Sequence, residues 1–169
     1  MPERTALCLD RALIITGKVL WEANMDLLNP SIAINIWDPL WRIYSRHNVT
    51  TPHYIAKDAK IVNSMITEGC YVNGTLNYSI LFSDVKVDDG ADLQYSVVMR
   101  NTKIGKGAKV HYAIVADDAI IEDGAVVGAA PEHYDGKWGI AVVGQGAVVK
   151  SGQVVLPGEM IQPNSGREE

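Results

Sequence analysis

The sequence predicts an all-β chain, a single-stranded parallel β-helix of triangular cross-section built from coils of equal length, preceded by a short helical arm. Three observations predict it. The segments beginning at Ser79, Ser96 and Ala113 agree column by column at a period of 17. Within each segment a small-x-aliphatic unit recurs at steps of six, six and five. The composition, with 15 Gly, 1 Phe and 47% hydrophobic residues, suits a repetitive β architecture better than a helical one.

Residues 1–17 continue neither the repeat nor a helical pattern and are left as an unassigned N-terminal segment. Residues 18–51 form the arm. Over 18–30, Leu20, Asn24, Leu27 and Leu28 fall on one helical face, and Pro30 stops the helix. Ile32 to Tyr44 is irregular and aromatic, with Trp37, Trp41 and Tyr44, a composition that suits sealing a solenoid end or docking on a neighbour. Thr51-Pro52 leads into the third region, the β-helix domain of residues 52–169.

The coils begin with Ala59-Lys60-Ile61, Ser64-Met65-Ile66 and Cys70-Tyr71-Val72, where Ser64 to Ser79 spans only 15 positions. Two inward residues two apart are what one face of a short strand presents, and Gly, Asp or Asn between units supplies the turn. Val85-Lys86-Val87, Ala91-Asp92-Leu93 and Ser96-Val97-Val98 are therefore the three strands of one coil, and the five-residue step is a tighter corner. Val87, Ile104 and Ile121 share a column, as do Gly90, Gly107 and Gly124, Asp84, Asn101 and Asp118, and Tyr78, Tyr95 and Tyr112. Stacked columns of this kind build a continuous core. A β-sandwich has no reason to hold that register. The pattern breaks at 129–137, a loop leaving the prism, and resumes at Ala141, Ala147, Val155 and Ile161.

A net charge of -5, without a Lys/Arg run longer than a pair, excludes the electrostatic footprint of a nucleic-acid binder. No segment approaches the apolar length of a membrane span, and Cys8 and Cys70 lie in no disulfide or zinc pattern, which fits a reducing cytoplasm. Cys70 takes the small inward column. Gly144-Gln145-Gly146 follows the hexad columns and is a turn, not a phosphate cradle. The four histidines, His47, His53, His111 and His133, include no pair at metal-ligand spacing. His111 shares the column of Gln94 and is expected to face water, while His133 lies in the excursion loop with Glu132 and Asp135.

Leu20 to Leu28 (LWEANMDLL), Trp41 to Arg46 (WRIYSR), Tyr54-Ile55-Ala56, Glu68-Gly69-Cys70, Ser79 to Phe82 and Ser96 to Met99 together resemble the C-terminal region of bacterial ADP-glucose pyrophosphorylase, glucose-1-phosphate adenylyltransferase. The resemblance runs over residues 19–161, and Val127 to Glu132 and Trp138 to Gly144 are similar to enzymes of the clostridial type. Likeness to hexapeptide proteins also supplies the left-handed sense of the coil, which the repeat alone does not show.

The resemblance implies an enzyme family that joins ATP, with Mg, and glucose 1-phosphate into ADP-glucose and pyrophosphate for glycogen synthesis. It also implies that catalysis belongs to an N-terminal nucleotide-binding domain, so this chain is expected to be inactive alone, with no catalytic, metal or cofactor-binding residue of its own. Leu13 stands where that family carries a metal-binding Asp, and Asp117 and Gln145 stand at two of its basic effector positions. Arg42, Arg46, Arg100 and Lys103 remain as candidate anion or effector contacts. The expected partners are further copies of this chain or full-length pyrophosphorylase subunits, in the cytoplasm, and neither nucleic acid nor membrane. Two alternatives remain: a scaffold that docks on a complete subunit through Trp21, Trp37, Trp41 and the prism, and a hexapeptide acyltransferase using His111 or His133 on an acyl-CoA.

Overall fold

The computed structural model describes residues 17–31, 50–130 and 139–163. Their strands form three six-stranded sheets, every neighbouring pair parallel, and successive strands of the chain pass from one sheet to the next. The first face runs from Tyr54–Ile55 through Tyr71–Val72, Lys86–Val87, Lys103–Ile104 and Ile120–Ile121 to Val148–Val149. The second runs from Lys60–Val62 through Thr75–Asn77, Asp92–Gln94, Lys109–His111 and Val126–Val127 to Val154–Val155. The third runs from Met65–Ile66 through Ile80–Leu81, Val97–Val98, Ala113–Val115 and Ala141–Val143 to Met160–Ile161.

The register is the repeat made physical. Lys86 pairs with Lys103 and Lys103 with Ile120, each one full period further along the chain. The short early spacing is confirmed by Met65 opposite Ile80, which falls two positions short of that period. Across the break the step becomes 28, with Ile120 opposite Val148 and Ala113 opposite Ala141, so eleven residues leave the coil without disturbing the columns. Residues 131–138 of that excursion lie outside the described residues.

Inside, the small-x-aliphatic units behave as their spacing requires. Val85, Val87, Ala91, Leu93, Val98, Ile104, Ala108 and Val110 are buried in one continuous cluster. The three buried polar members of those columns are satisfied rather than orphaned: the Ser79 hydroxyl donates to the Asn77 carbonyl (3.1 Å), that of Ser96 to the Val110 carbonyl (2.9 Å) and that of Thr102 to the Ala116 carbonyl (3.1 Å).

In the regular coils each corner uses a left-handed residue, and the three corners meet the need differently. Between the first and second faces it is Gly90, Gly107 and Gly124, at φ 70°, 63° and 67°. Between the third and first faces it is Asp84, Asn101 and Asp118, at φ 62°, 55° and 60°, with the Asn101 amide donating to Asp118 Oδ1 (2.8 Å). The tight five-residue corner between the second and third faces carries Tyr78, Tyr95 and Tyr112 at φ 47°, 48° and 50°. A bulky side chain in this region costs on the order of 1–2 kcal/mol. Stacking of the rings, with centroids 5.0 Å and 4.8 Å apart, offsets that cost by roughly 0.5–1.5 kcal/mol per pair.

The third face differs from the others in having aliphatic residues on both sides through its middle coils. Its outward side chains Ile80, Val97 and Ile114 are buried. A helix over residues 17–26 packs there, with Trp21 and Met25 against Val97, Ile114 and Ile140. Trp21 also donates its indole N–H to the Tyr95 carbonyl (2.7 Å) and meets the Tyr112 ring at 5.9 Å, so it closes the tyrosine stack. Beyond the helix, Leu28 is buried and its carbonyl accepts from the Asn63 amide (3.2 Å).

One expectation is corrected here. The helix does not present Leu20 inward: Leu20 is 41% exposed, and the seated residues are Trp21, Met25 and Leu28. The apolar stripe is rotated by one position because the flat aliphatic face selects the largest side chains at i, i+4 and i+7. The helix lies along a face of the prism. Trp37, Trp41 and Tyr44 fall outside the described residues.

Candidate functional site

With the interior filled by aliphatic columns, the polar groups of the described coils stand on the outward columns of the first and second faces and at the corners. On the first face the outward series is Tyr54, Tyr71, Lys86, Lys103, Ile120 and Val148. Tyr54 and Tyr71 stack with centroids 5.4 Å apart. Beside Lys86 and Lys103 lies a shallow cleft of about 380 Å³, also lined by Asp88, Ile120, Glu122, Asp123 and Ser151.

The cleft's charges are largely committed. Lys86 pairs with Asp88 (3.0 Å) and Lys150 with Glu122 (3.3 Å). The Ser151 backbone N–H donates to Glu122 Oε2 (2.9 Å), and that of Lys106 donates to Asp123 Oδ1 (2.8 Å). The Ser151 N–H, and next the Lys150 ammonium, hold the Glu122 carboxyl below its usual range. Lys103 makes no ion pair among the described residues. Two lysines against three carboxylates leave the lining without the positive excess that a phosphate dianion requires.

Arg100 sits at the corner before the Lys103 strand and uses its guanidinium on Asp117, with Nη2 3.1 Å from Oδ2. The Arg100 backbone N–H also donates to Asp117 Oδ1 (2.9 Å). Hydrogen bonding to Asp117, and then its charge, pushes the guanidinium further up. The residue at one of the family's effector positions thus neutralises one candidate anion contact. Gln145 is exposed in the turn closed by the Ala147 N–H on the Gly144 carbonyl (3.1 Å), and Gly146 takes φ 66° while its N–H ties the turn to the Asp117 carbonyl of the preceding coil (2.9 Å). That stretch is a corner, as its spacing indicates. Arg42 and Arg46 lie outside the described residues.

On the second face His111 differs from the solvated histidine expected. Its Nε2 lies 2.9 Å from Asp92 Oδ2, and the His111 side chain is only 20% exposed. The Gln94 amide donates to the same carboxylate oxygen (2.9 Å). The pair is diagonal, one coil and two residues apart, because outward side chains alternate along a strand and repeat every coil. His53 is exposed, and His47 and His133 lie outside the described residues.

Cys70 is buried as its column requires, with Sγ 3.0 Å from the Phe82 carbonyl. Burial, foremost, raises its thiol pKa, which is the opposite of an activated nucleophile. Among the described residues no group of three or more His, Cys, Asp or Glu side chains is arranged to hold a metal ion. No described helix is long and apolar enough to cross a membrane.

Sequence reasoning missed the Trp21 anchor and the Asp92–His111 pair. Both left a signal: Trp21 stands four residues before Met25 on a short amphipathic run, and Asp92 and His111 occupy outward columns of adjacent coils.

A triangular prism of parallel coils in periodic register, with a filled aliphatic core and flat outer faces, defines a hexapeptide-repeat β-helix protein. The chain belongs to the GlmU-like, C-terminal hexapeptide family, which it matches over residues 51–150. It is also similar to glucose-1-phosphate adenylyltransferases of Bacillus mycoides, Bacillus cereus and Bacillus anthracis, each 47% identical over 76 residues. That stretch is 45% of this chain and covers only 20% of each relative's length.

Proposed function

We propose that the chain serves as the β-helix, oligomerisation and regulatory part of a glucose-1-phosphate adenylyltransferase system, with the conversion of ATP and glucose 1-phosphate to ADP-glucose carried out elsewhere than on these coils. The observation that supports this most is the 47% identity over 76 residues to enzymes of that name, alongside a fold made of structural coils. Transfer of a nucleotidyl group needs cations held around a triphosphate. The lysines of the first face are paired with, or outnumbered by, carboxylates.

On this reading the partners are further copies of the chain or complete adenylyltransferase subunits in the cytoplasm. Regulation through Arg42, Arg46, Arg100 and Lys103 is the weaker half of the proposal, since Arg100 is engaged by Asp117.

The test is direct. Purified protein is assayed for ADP-glucose formation with ATP, Mg and glucose 1-phosphate, and then mixed with the Bacillus cereus enzyme and analysed for co-migration. The reading expects no turnover by the chain alone and a joint species on mixing. Turnover by the chain alone would overturn it.

A further inference from the structure

The three outer faces are not equivalent toward a second copy. The third is covered by the helix at Val97 and Ile114. The described helix leaves the first and second uncovered. Face-to-face packing of two identical sheets by a twofold axis along the strands reverses the coil order, so coil one meets coil six, two meets five and three meets four.

Applied to the first face, that operation sets Lys86 against Lys103 of the second copy, a like-charge contact at the centre. Applied to the second face, it sets Asp92 against Lys109 and Gln94 against His111, an ion pair and a hydrogen-bonding pair, each made twice by symmetry. At the ends Val62 meets Leu156, and Lys60 lays its stem on Val154. The exposures of Val62, Val154 and Leu156, 55%, 58% and 62%, are among the largest of any aliphatic side chain described. Lys109 is exposed and makes no ion pair among the described residues, whereas Asp92 already accepts from Gln94 and His111.

We infer that the second face, built on Asp92, Gln94, Lys109 and His111 and flanked by Val62 and Leu156, is a self-complementary docking surface for a second copy of this chain, in antiparallel orientation. The inference rests on the oligomerisation reading above for the existence of an assembly, but not for its geometry. Six strands about 4.8 Å apart and two outward residues wide give a face of roughly 24 by 12 Å, on the order of 300 Å² per partner. That is well below the roughly 800 Å² per partner of a standard stable interface, so this face alone gives a weak, concentration-dependent pair. Its charge pattern sets orientation more than affinity.

Sedimentation velocity from about 10 to 500 μM protein measures the association. Lys109→Glu turns both central ion pairs into repulsions and is expected to weaken dimerisation about tenfold. The charge exchange Asp92→Lys/Lys109→Glu re-forms both pairs across the axis and is expected to restore it. The doubly substituted Val62→Cys/Leu156→Cys protein, oxidised at high concentration, should give a disulfide-linked dimer. Either cysteine variant alone should not, because each such residue lies about five strand spacings, roughly 24 Å, from its own symmetry mate.

Association that ignores the charge changes, or a double-cysteine protein that associates without cross-linking, would overturn the assigned face while leaving oligomerisation intact. Cross-linking by Val62→Cys alone would show the parallel arrangement and refute this one. A monomer across the whole range would refute the face, whereas assembly with a complete subunit would be refuted only by failure to co-migrate with the Bacillus cereus enzyme.

Discussion

Replacing Trp21 should separate the stability of the arm from that of the prism. The indole contributes one hydrogen bond to the Tyr95 carbonyl, at 2.7 Å, and apolar contact with Val97, Ile114 and Ile140. Trp21→Phe removes the hydrogen bond while keeping most of the ring, at a cost of about 1 kcal/mol. Trp21→Ala removes both. A fully buried Trp would cost roughly 3–5 kcal/mol, and for this half-buried side chain about 2–3 kcal/mol is expected. A loss of that size shifts the docking equilibrium of the helix some thirtyfold or more toward the undocked form. The prism is held by its own ladders, so its coils should stay intact. Hydrogen exchange read by mass spectrometry tests this: amides over 17–28 should lose protection in Trp21→Ala, those over 80–127 should keep it, and binding of a hydrophobic dye should rise as Ile80, Val97 and Ile114 are uncovered. Unchanged protection over 17–28, or loss in both regions together, would refute the view of the helix as a separately anchored cover.

Three further outcomes are expected. Leu93→Ala, at a fully buried position in the middle of the stack, should lower stability by about 2–5 kcal/mol in denaturant titrations, whereas Arg100→Ala, which breaks a largely exposed ion pair, should leave the midpoint nearly unchanged. Asp84→Val, at φ 62°, should cost about 1–2 kcal/mol from backbone strain, while Asp84→Gly should cost less, since Gly146 fills the same column at φ 66°. The Cys70 thiol should resist alkylation in the native protein and react on unfolding, as seen by peptide mapping. Because burial raises its pKa above 9.0, the folded state holds the proton more tightly than the unfolded chain. That contribution to stability is complete below pH 9.0 and is lost as pH rises through the folded value, which a denaturation series in alkaline buffers with a Cys70→Ala control would show.

The coil architecture is open to reading because its cause is periodic. Val87, Ile104 and Ile121 must stack if each coil takes up one full period, and the aligned glycines and Asp/Asn residues mark the corners that make that length possible. The outward surface is harder to read. His111 reads as solvated because a one-dimensional column does not show its diagonal neighbour, and the contact with Asp92 exists only once two coils are laid side by side. The helix is legible, but not which of its faces seats. That choice is made by the third face, whose strands carry two aliphatic residues in succession, as in Ile80-Leu81, Val97-Val98 and Ile114-Val115. The doublets are in the sequence, yet their outer members need a partner that the repeat does not name.

What the chain determined by itself was therefore everything that follows from local period: strand length, corner positions, inward columns and a break near 129–137, whereas its eleven-residue length came from the strand register. The folded molecule alone decided which outward columns are covered and which charges are already engaged, namely Arg100 by Asp117, His111 by Asp92 and the third face by Trp21 and Met25. The physical reason is that a solenoid's core depends on contacts between equivalent positions, which repetition specifies, whereas its surface depends on contacts between inequivalent ones, which only the relative placement of coils and helix creates.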